Sequence, residues 1–262
     1  MLRIGLVIAV AVALQLPYPY ADSVNHTEIK RDTPDDGVVL CRLKFLSDRQ
    51  EAGGFGWRTD WPLAERHLQQ RFAEITTARV ATHGAGEPVH WIVEPVSAGL
   101  RRCPLLLASD VGTLVWRADE VDQMRDYFAR GGFLWADDFW GEASWAQLLF
   151  AFSQVVPGGS VERLEMDHPV FGMLYRVREV PQISNMNFWM GSGRTDERGD
   201  ESPEGEVHAG YDSNGHMVAL LTFNTDVADA AERESENPDY FDTFALDGYA
   251  LMINILLYAM SH

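Results

Sequence analysis

Two adjacent carboxylates, Asp137 and Asp138, end an apolar segment in the sequence GGFLWADDFWG, residues 131–141. The apolar run is typical of a buried strand, and such a strand has little reason to end on two like charges. Carboxylates there could bind a cation, act as a general base or bind a polar ligand. Alternatively, one caps the next helix and the other pairs with an arginine. Because successive strand residues point to opposite faces, we expect only one to enter a pocket.

A second candidate is the tripeptide Asp167-His168-Pro169. A neutral imidazole beside a carboxylate suits proton transfer or metal ligation. If His168 met Asp137 or Asp138 in space, the group would suit acid–base catalysis, with a divalent metal as its one conceivable cofactor. The composition favours a plainer interpretation, a turn in which Asp167 bonds its own backbone.

Other candidates for ligand binding are a glycine-rich loop and two isolated residues. The loop GGFGWR, residues 53–58, could bring backbone N–H groups to an anion, with Arg58 as a clamp. It lacks both nucleotide-binding fingerprints, so a lid or a plain loop is the alternative. Asp110 ends another apolar run, and Trp140 belongs to a set of tryptophans that are either core or a sugar-stacking platform. No cysteine–histidine cluster has zinc spacing, so no metal ligand set is predicted.

The charge and composition exclude several classes of protein. A formal net charge of −18 over 262 residues excludes nucleic acid as a partner, because phosphate binding needs a basic surface. Residues 1–21 combine one arginine with a short apolar run and prolines, which predicts a secretory signal peptide; an uncleaved anchor or a buried helix is the alternative. We therefore expect a periplasmic or secreted protein that touches the membrane only through an uncleaved N-terminus. Residues 22–37 are polar and predict a linker.

The predicted domain spans residues 38–262. In its first half, the strands and helices that must position the candidate residues alternate along the chain. Apolar runs at 38–45, 103–110 and 133–137 predict buried strands, and amphipathic stretches after residue 60, at 116–132 and at 142–152 predict helices. Thr59 or Asp60 could cap the first of these helices. The alternation predicts an α/β fold with a doubly wound, mostly parallel sheet, whose ligands bind outside the carboxyl ends of the strands.

The second half of the chain is less regular. Ser213-Asn214-Gly215 predicts a hairpin turn, residues 191–206 are acidic and predict a mobile loop, and the apolar C-terminus predicts a core helix. His208 and His216 are expected at the surface. Cys41 and Cys103 could form a disulfide or remain buried thiols.

Several segments together resemble a bacterial family, the domain of unknown function 4159. They are CRLKF, DW at 60–61, GGFLWADDFWG, DHPVF at 167–171 and GYALMINILLYAM, and the resemblance covers residues 38–262. It implies a class I glutamine amidotransferase-like, flavodoxin-like fold, but no established activity. The amidotransferases carry a cysteine nucleophile at a strand–helix turn, where this chain has WADDFWGEAS. Cys41 and Cys103 lie on earlier strands, so glutaminase chemistry has no nucleophile.

These observations leave three hypotheses about function. The leading one is a non-catalytic ligand-binding or protein-interaction domain that uses the crevice at the carboxyl ends of the strands, for a small polar ligand or an envelope protein. The second is a hydrolase, with or without a metal, that acts on a small polar or sugar substrate through Asp137 or Asp138 and His168. The third is an envelope scaffold that docks through residues 191–206.

Overall fold

A central seven-stranded sheet organises the chain in the computed structural model, which describes residues 37–82 and 86–261. The predicted signal segment and all but the last residue of the predicted linker lie outside the described residues. In chain order the strands are β1 Leu40–Leu43, β2 Leu46–Ser47, β3 His90–Val93, β4 Leu105–Ala108, β5 Leu114–Val115, β6 Phe133–Phe139, β7 Ser160–Arg163, β8 Glu206–Tyr211 and β9 Met217–Phe223.

The strand order in the sheet is β3-β1-β4-β6-β9-β8-β7. The first five strands are parallel to one another, whereas β8 and β7 extend the sheet in antiparallel register. β2 and β5 form a separate antiparallel ribbon. A mostly parallel α/β sheet is therefore present as predicted, and β8 and β9 form the predicted hairpin around Gly215.

Helices cover both faces of the sheet. They are α1 Leu63–Ile75, α2 Ala118–Ala129, α3 Gly141–Val155, α4 Met186–Ser192, α5 Asp229–Glu232, α6 Pro238–Tyr240 and α7 Leu246–Ser261, with a π-helical turn at Phe241–Ala245 between the last two. On one face of the sheet, α1, α5 and α7 pack against every second residue of the strands, such as Trp135, and form one hydrophobic core. On the other face, α2 and α3 pack against the strand residues in between, such as Leu134, and form a second core. The strands are buried from both sides, which explains their continuous apolar runs.

The last helical run, Pro238–Ser261, is long and apolar enough by length and composition to cross a membrane, and it is the one such helix in the described residues. More than half of its most apolar window is buried in the protein, as a core helix requires. Its one fully buried amide, Asn254, accepts hydrogen bonds from the backbone of Leu174 and Tyr175. These contacts explain a polar side chain within an apolar helix.

Cys41 and Cys103 form a disulfide, which settles the alternative that the sequence left open. The bond ties β1 to the turn just before β4, and both residues are buried. Because β1 and β4 are hydrogen-bonded neighbours, the cross-link reinforces the middle of the sheet.

Two local expectations were wrong. Neither Thr59 nor Asp60 caps α1, which begins after Pro62 without a side-chain cap; both side chains bind other groups of the same edge. His208 is not a surface residue: it is 8% exposed and packs against Trp145 with ring centroids 4.5 Å apart. The face of β8 that carries His208 is thus covered by α3.

Candidate functional site

Unusual backbone conformations concentrate at the carboxyl edge of the parallel strands. Within the described residues, the non-glycine residues with positive φ are Asp60, Asp110, Asp138 and Asn224. They lie on the loop between β2 and α1 and at the ends of β4, β6 and β9. A left-handed conformation costs a residue with a side chain roughly 1–2 kcal/mol, and aspartate and asparagine tolerate it best. Strain of this kind commonly marks a functional site.

Asp110 holds the glycine-rich loop between β2 and α1 in place. Its Oδ2 accepts the backbone N–H of Gly56 at 2.7 Å, and Gly54 lies so close that an added Cβ would be 2.4 Å from the same oxygen. The sequence predicted that this loop could bring backbone N–H groups to an anion. In the structure that anion is the carboxylate of Asp110. Burial raises the pKa of Asp110 to about 7, although the Gly56 hydrogen bond opposes the shift.

Asp137 and Asp138 have different roles. Asp137 is fully buried and accepts the backbone N–H groups of Val227 and Ala228 at 3.3 and 2.7 Å, together with the Thr222 hydroxyl. Burial raises its pKa to about 6. It does not cap α3, whose first N–H, that of Gly141, is bound by a different side chain. Asp137 instead shapes the turn that follows β9.

Asp138 faces a small pocket. Its Oδ1 accepts the indole N–H of Trp140 at 2.9 Å. Burial, and then the charges of Asp60 and Asp110, raise the pKa of Asp138 well above its usual range. One residue of the pair thus faces the pocket while the other bonds the backbone.

Asp60, Asp226 and Asp229 bring one carboxylate oxygen each to within 4.8 Å of one another, and all three are buried. Ser109 donates to Asp60, and the hydroxyl of Tyr240 donates to Asp229. Burial and the neighbouring carboxylates raise the pKa of Asp60 and of Asp226 well above the usual range. The three oxygens have the spacing of ligands around one ion.

The acidic segment 191–206 is folded against this edge, contrary to the expectation of a mobile loop. Glu197 accepts the backbone N–H of Asn185 at 2.6 Å, and Arg198 reaches Glu51 at 3.1 Å. Glu51 also accepts from Arg49 at 2.7 Å. Burial opposes ionisation of Glu51, but the hydrogen bonds from both arginines and Ser144 leave its pKa lowered. Polar contacts, not an apolar core, order this segment.

The pocket between these groups is the size of an ion or a water molecule. Its free volume is about 20 Å³, and its lining includes the carboxylates of Glu51, Asp110, Asp138, Glu197 and Asp226. One cation, Arg198, is part of the same lining. A space of about 10–15 Å³ is enough for one water-sized particle.

Negative charge exceeds positive charge around the pocket. The carboxyl groups there are Glu51, Asp60, Asp110, Asp137, Asp138, Glu197, Asp226, Asp229 and Glu232. The arginines that pair with them in the described residues are Arg49, Arg198 and Arg233. Buried carboxylates in such excess must either bind protons or share a bound cation.

The structure does not bring the predicted histidine to this edge. His168 packs against Tyr258 near the end of α7, with ring centroids 5.5 Å apart. Met260, at the same end of α7, lines a cavity together with Gly37 and Pro104. Gly37 precedes β1 and Pro104 precedes β4, so this cavity is at the amino ends of the strands. His168 therefore lies at the amino edge of the sheet. Its ring nitrogen accepts the Val170 N–H in a turn, and Asp167 is exposed.

Trp140 and Arg58, the other predicted ligand-binding residues, lie at the carboxyl edge. Trp140 lines the ion-sized pocket, whereas Arg58 lines a larger cleft beside it. The sequence reasoning missed Asp226 and Asp229. Asp226 follows the apolar run of β9, as Asp110 follows that of β4, so the same strand-end signal could have revealed it.

Comparison with known proteins places the chain in a family. Residues 48–260 match the model of a family described as a domain of unknown function, DUF4159. No curated protein matches the chain. The match spans most of the sequence and includes the whole carboxyl edge from Glu51 to Glu232. The chain therefore belongs to the DUF4159 family.

Proposed function

We propose that this domain is a ligand-binding module whose crevice holds a divalent cation. The observation that carries the proposal is the group of buried carboxylates of Asp60, Asp226 and Asp229, whose oxygens lie within 4.8 Å of one another. The ion-sized pocket that Asp226 and Asp138 line is a second support. A cation would allow Asp60 and Asp226 to ionise together, which burial otherwise opposes.

The donor atoms favour a hard metal. All are oxygens, and no cysteine or histidine lines the pocket in the described residues. Calcium, magnesium and manganese prefer such ligands. Asp60, Asp226 and Asp229 would bind the ion directly, and Asp138 is close enough to contribute through its charge. The ion would attract and orient polar groups of a ligand in the crevice.

Thermal melting with and without metal tests the proposal. Protein stripped with EDTA is titrated separately with Ca²⁺, Mg²⁺ and Mn²⁺. Binding at about 100 times Kd adds about 2.7 kcal/mol, which for a chain of this size raises Tm by roughly 5–10 °C. D226N should lose that shift. Its metal-free form should melt close to the wild type, because a neutral amide resembles the protonated carboxyl that the raised pKa of Asp226 favours.

The matched control is D122N, on the exposed side of α2, where Asp122 pairs with the surface residue Arg125. It should keep the full metal response. A wild-type Tm that no divalent cation changes would refute the cation site, as would an undiminished response in D226N.

Two finer proposals accompany this one. The order of the five parallel strands, numbered along the chain, is 2-1-3-4-5, which supports a flavodoxin-like, amidotransferase-like fold with its site at the strand switch point.

The buried Cys41–Cys103 disulfide supports export, because such bonds persist in oxidising compartments. Intact mass of protein from the periplasm should correspond to a chain that begins near residue 22; accumulation of the full chain in the cytoplasm would oppose it.

Hydrolysis through Asp137, Asp138 and His168 is the weaker candidate. His168 is at the opposite edge, and Asp137 is engaged by backbone amides. Docking to an envelope protein through residues 191–206 also has less support, because Glu197 and Arg198 of that segment are used inside the site.

A further inference from the structure

A cleft of about 750 Å³ opens beside the ion-sized pocket. It lies mainly against the loop between β2 and α1, and its lining shares Gly53, Thr59 and Asn185 with that pocket. Its floor includes Asp60, one of the proposed ion ligands. The volume is in the range of small-molecule sites, about 300–1,000 Å³. A ligand in this cleft could reach the ion while the rest of it contacts the loop.

The loop side of the cleft is aromatic. Phe55 is 68% exposed, and the indoles of Trp57 and Trp61 lie 5.7 Å apart at an angle of 49°. The Nε1 of Trp61 is buried and has no hydrogen-bond partner among the described residues. A buried donor without a partner is costly, and a ligand hydroxyl that reached it from the cleft would satisfy it.

Arg58 adds a positive charge to this aromatic side. Its guanidinium lies 6.0 Å from the ring centroid of Trp57 and 5.9 Å from that of Trp61. The other cations of the cleft, such as Lys44 and Arg233, have carboxylate partners at 2.9 Å or less. Arg58 has none among the described residues, which is unusual in a chain with a net charge of −18. Its guanidinium is available for an anion of the ligand.

We propose that the cleft binds an acidic saccharide, a sugar chain that carries carboxylate groups. Apolar ring faces pack on Phe55 and Trp57, a hydroxyl accepts from Trp61 Nε1, and a carboxylate pairs with Arg58. At the floor of the cleft, hydroxyl or carboxylate oxygens complete the shell of the cation near Asp60. This last contact rests on the proposed cation site, whereas the other three do not.

The ring geometry favours a saccharide over a nucleotide. The two indoles are tilted and do not form the parallel faces between which a planar base would stack. Puckered sugar rings with hydroxyl groups on their edges fit such a tilted aromatic wall.

Calorimetry with the full chain tests the proposal, using tetragalacturonate, neutral maltotetraose and AMP as probes. Each is measured with Ca²⁺ and with EDTA. We expect tetragalacturonate to bind at least tenfold more tightly than maltotetraose. R58Q should lower tetragalacturonate affinity at least tenfold and leave maltotetraose unchanged, and W57A should weaken both.

R102Q is the matched control, because Arg102 also stacks on an indole, that of Trp91, but at the amino edge of the sheet. It should bind like the wild type. Absence of tetragalacturonate binding at millimolar concentration would overturn the proposal, as would unchanged binding in R58Q or a preference for AMP. Folding of each variant is checked by its melting curve.

The two calcium conditions separate this proposal from the cation site. A metal-dependent rise in Tm without saccharide binding would overturn the acidic saccharide and leave the cation site standing. Saccharide binding that is equal in EDTA and Ca²⁺, with no metal effect on Tm, would support the cleft and refute the cation.

Discussion

Gly56 donates its backbone N–H to Asp110 across 2.7 Å, and this hydrogen bond joins the two halves of the proposed site. Asp110 lines the ion-sized pocket, whereas Gly56 belongs to the loop that forms the aromatic cleft. The position of the cleft therefore depends on a carboxylate of the acidic pocket. A disturbance at either residue should affect both spaces.

G54A should disturb this junction. The new Cβ would lie 2.4 Å from Asp110 Oδ2, so the loop or the carboxylate must move. We expect a loss of roughly 1–3 kcal/mol in the free energy of unfolding, the usual cost of overpacking. Urea unfolding measures it. G191A is the control: an alanine there contacts nothing within 4 Å and lies in α4, so it should be neutral or slightly stabilising.

Metal-free protein should become less stable as the pH rises. Unfolded Asp110 titrates near pH 4, whereas burial raises its folded pKa to about 7. Between these values the folded state holds a proton that the unfolded state has released, so stability falls as pH increases. From about pH 5 to about pH 8 we expect this residue to contribute a loss of roughly 1–4 kcal/mol. Melting curves in EDTA measure the trend, which D110N should flatten; a Tm that rises over this range would contradict it.

The disulfide should contribute strongly to stability. Cys41 and Cys103 are 62 residues apart, and closing a loop of that length in the unfolded chain is worth about 4 kcal/mol. The double variant C41S/C103S should therefore unfold at a markedly lower urea concentration. Dithiothreitol should lower the midpoint of the wild type towards that of the variant and leave the variant unchanged. Equal midpoints for oxidised and reduced wild type would show that the bond adds nothing.

Arg42 and Glu65 form an ion pair with no solvent exposure. The two Nη atoms of Arg42 lack hydrogen-bond partners in the described residues, so the pair is incompletely satisfied. R42M should cost about 3–5 kcal/mol because it leaves a buried carboxylate alone. The double variant R42M/E65L should recover most of that loss. A double-mutant cycle in urea measures the coupling, and additive losses would mean that the pair acts through packing alone.

The sequence predicted the parts of the fold that depend on local patterns. Apolar runs identified β4 and β6, and Asn214-Gly215 identified the hairpin. Strand burial and turn geometry depend on residues that are adjacent in sequence, so a local pattern is enough to predict them. The carboxylates of Asp60 and Asp226 meet only because the sheet order places the ends of distant segments together. No local pattern specifies that meeting.

Composition was misleading for residues 191–206. Few apolar residues predict a segment without a core of its own, and that part of the inference is sound. The segment is nevertheless ordered by ion pairs and backbone contacts, such as Glu197 with Asn185 and Arg198 with Glu51. Asn185 lies just before the segment and Glu51 lies 147 residues away from Arg198 in sequence, so the composition of the segment itself could not reveal these contacts. The polar character that suggested mobility instead supplies residues of the pocket.

Asp137 should act as a positioning residue for the proposed cation. Its carboxylate accepts the N–H groups of Val227 and Ala228, the two residues between the proposed ligands Asp226 and Asp229. D137N keeps the size of the side chain but replaces one acceptor oxygen with a donor, so it should loosen this turn without removing an ion ligand. We expect metal affinity to fall about 10–100-fold, as is usual when a partner of the ligands is changed.

Calorimetric titration of EDTA-treated D137N with Ca²⁺ measures the loss. A merely structural role would lower Tm and leave the affinity of the folded protein unchanged, so the two quantities are compared in the same variant. T222V is a milder companion, because it removes one hydrogen bond to Asp137 and leaves both backbone contacts in place. It should weaken Ca²⁺ binding less than D137N does, since the turn between the ligands keeps its acceptor.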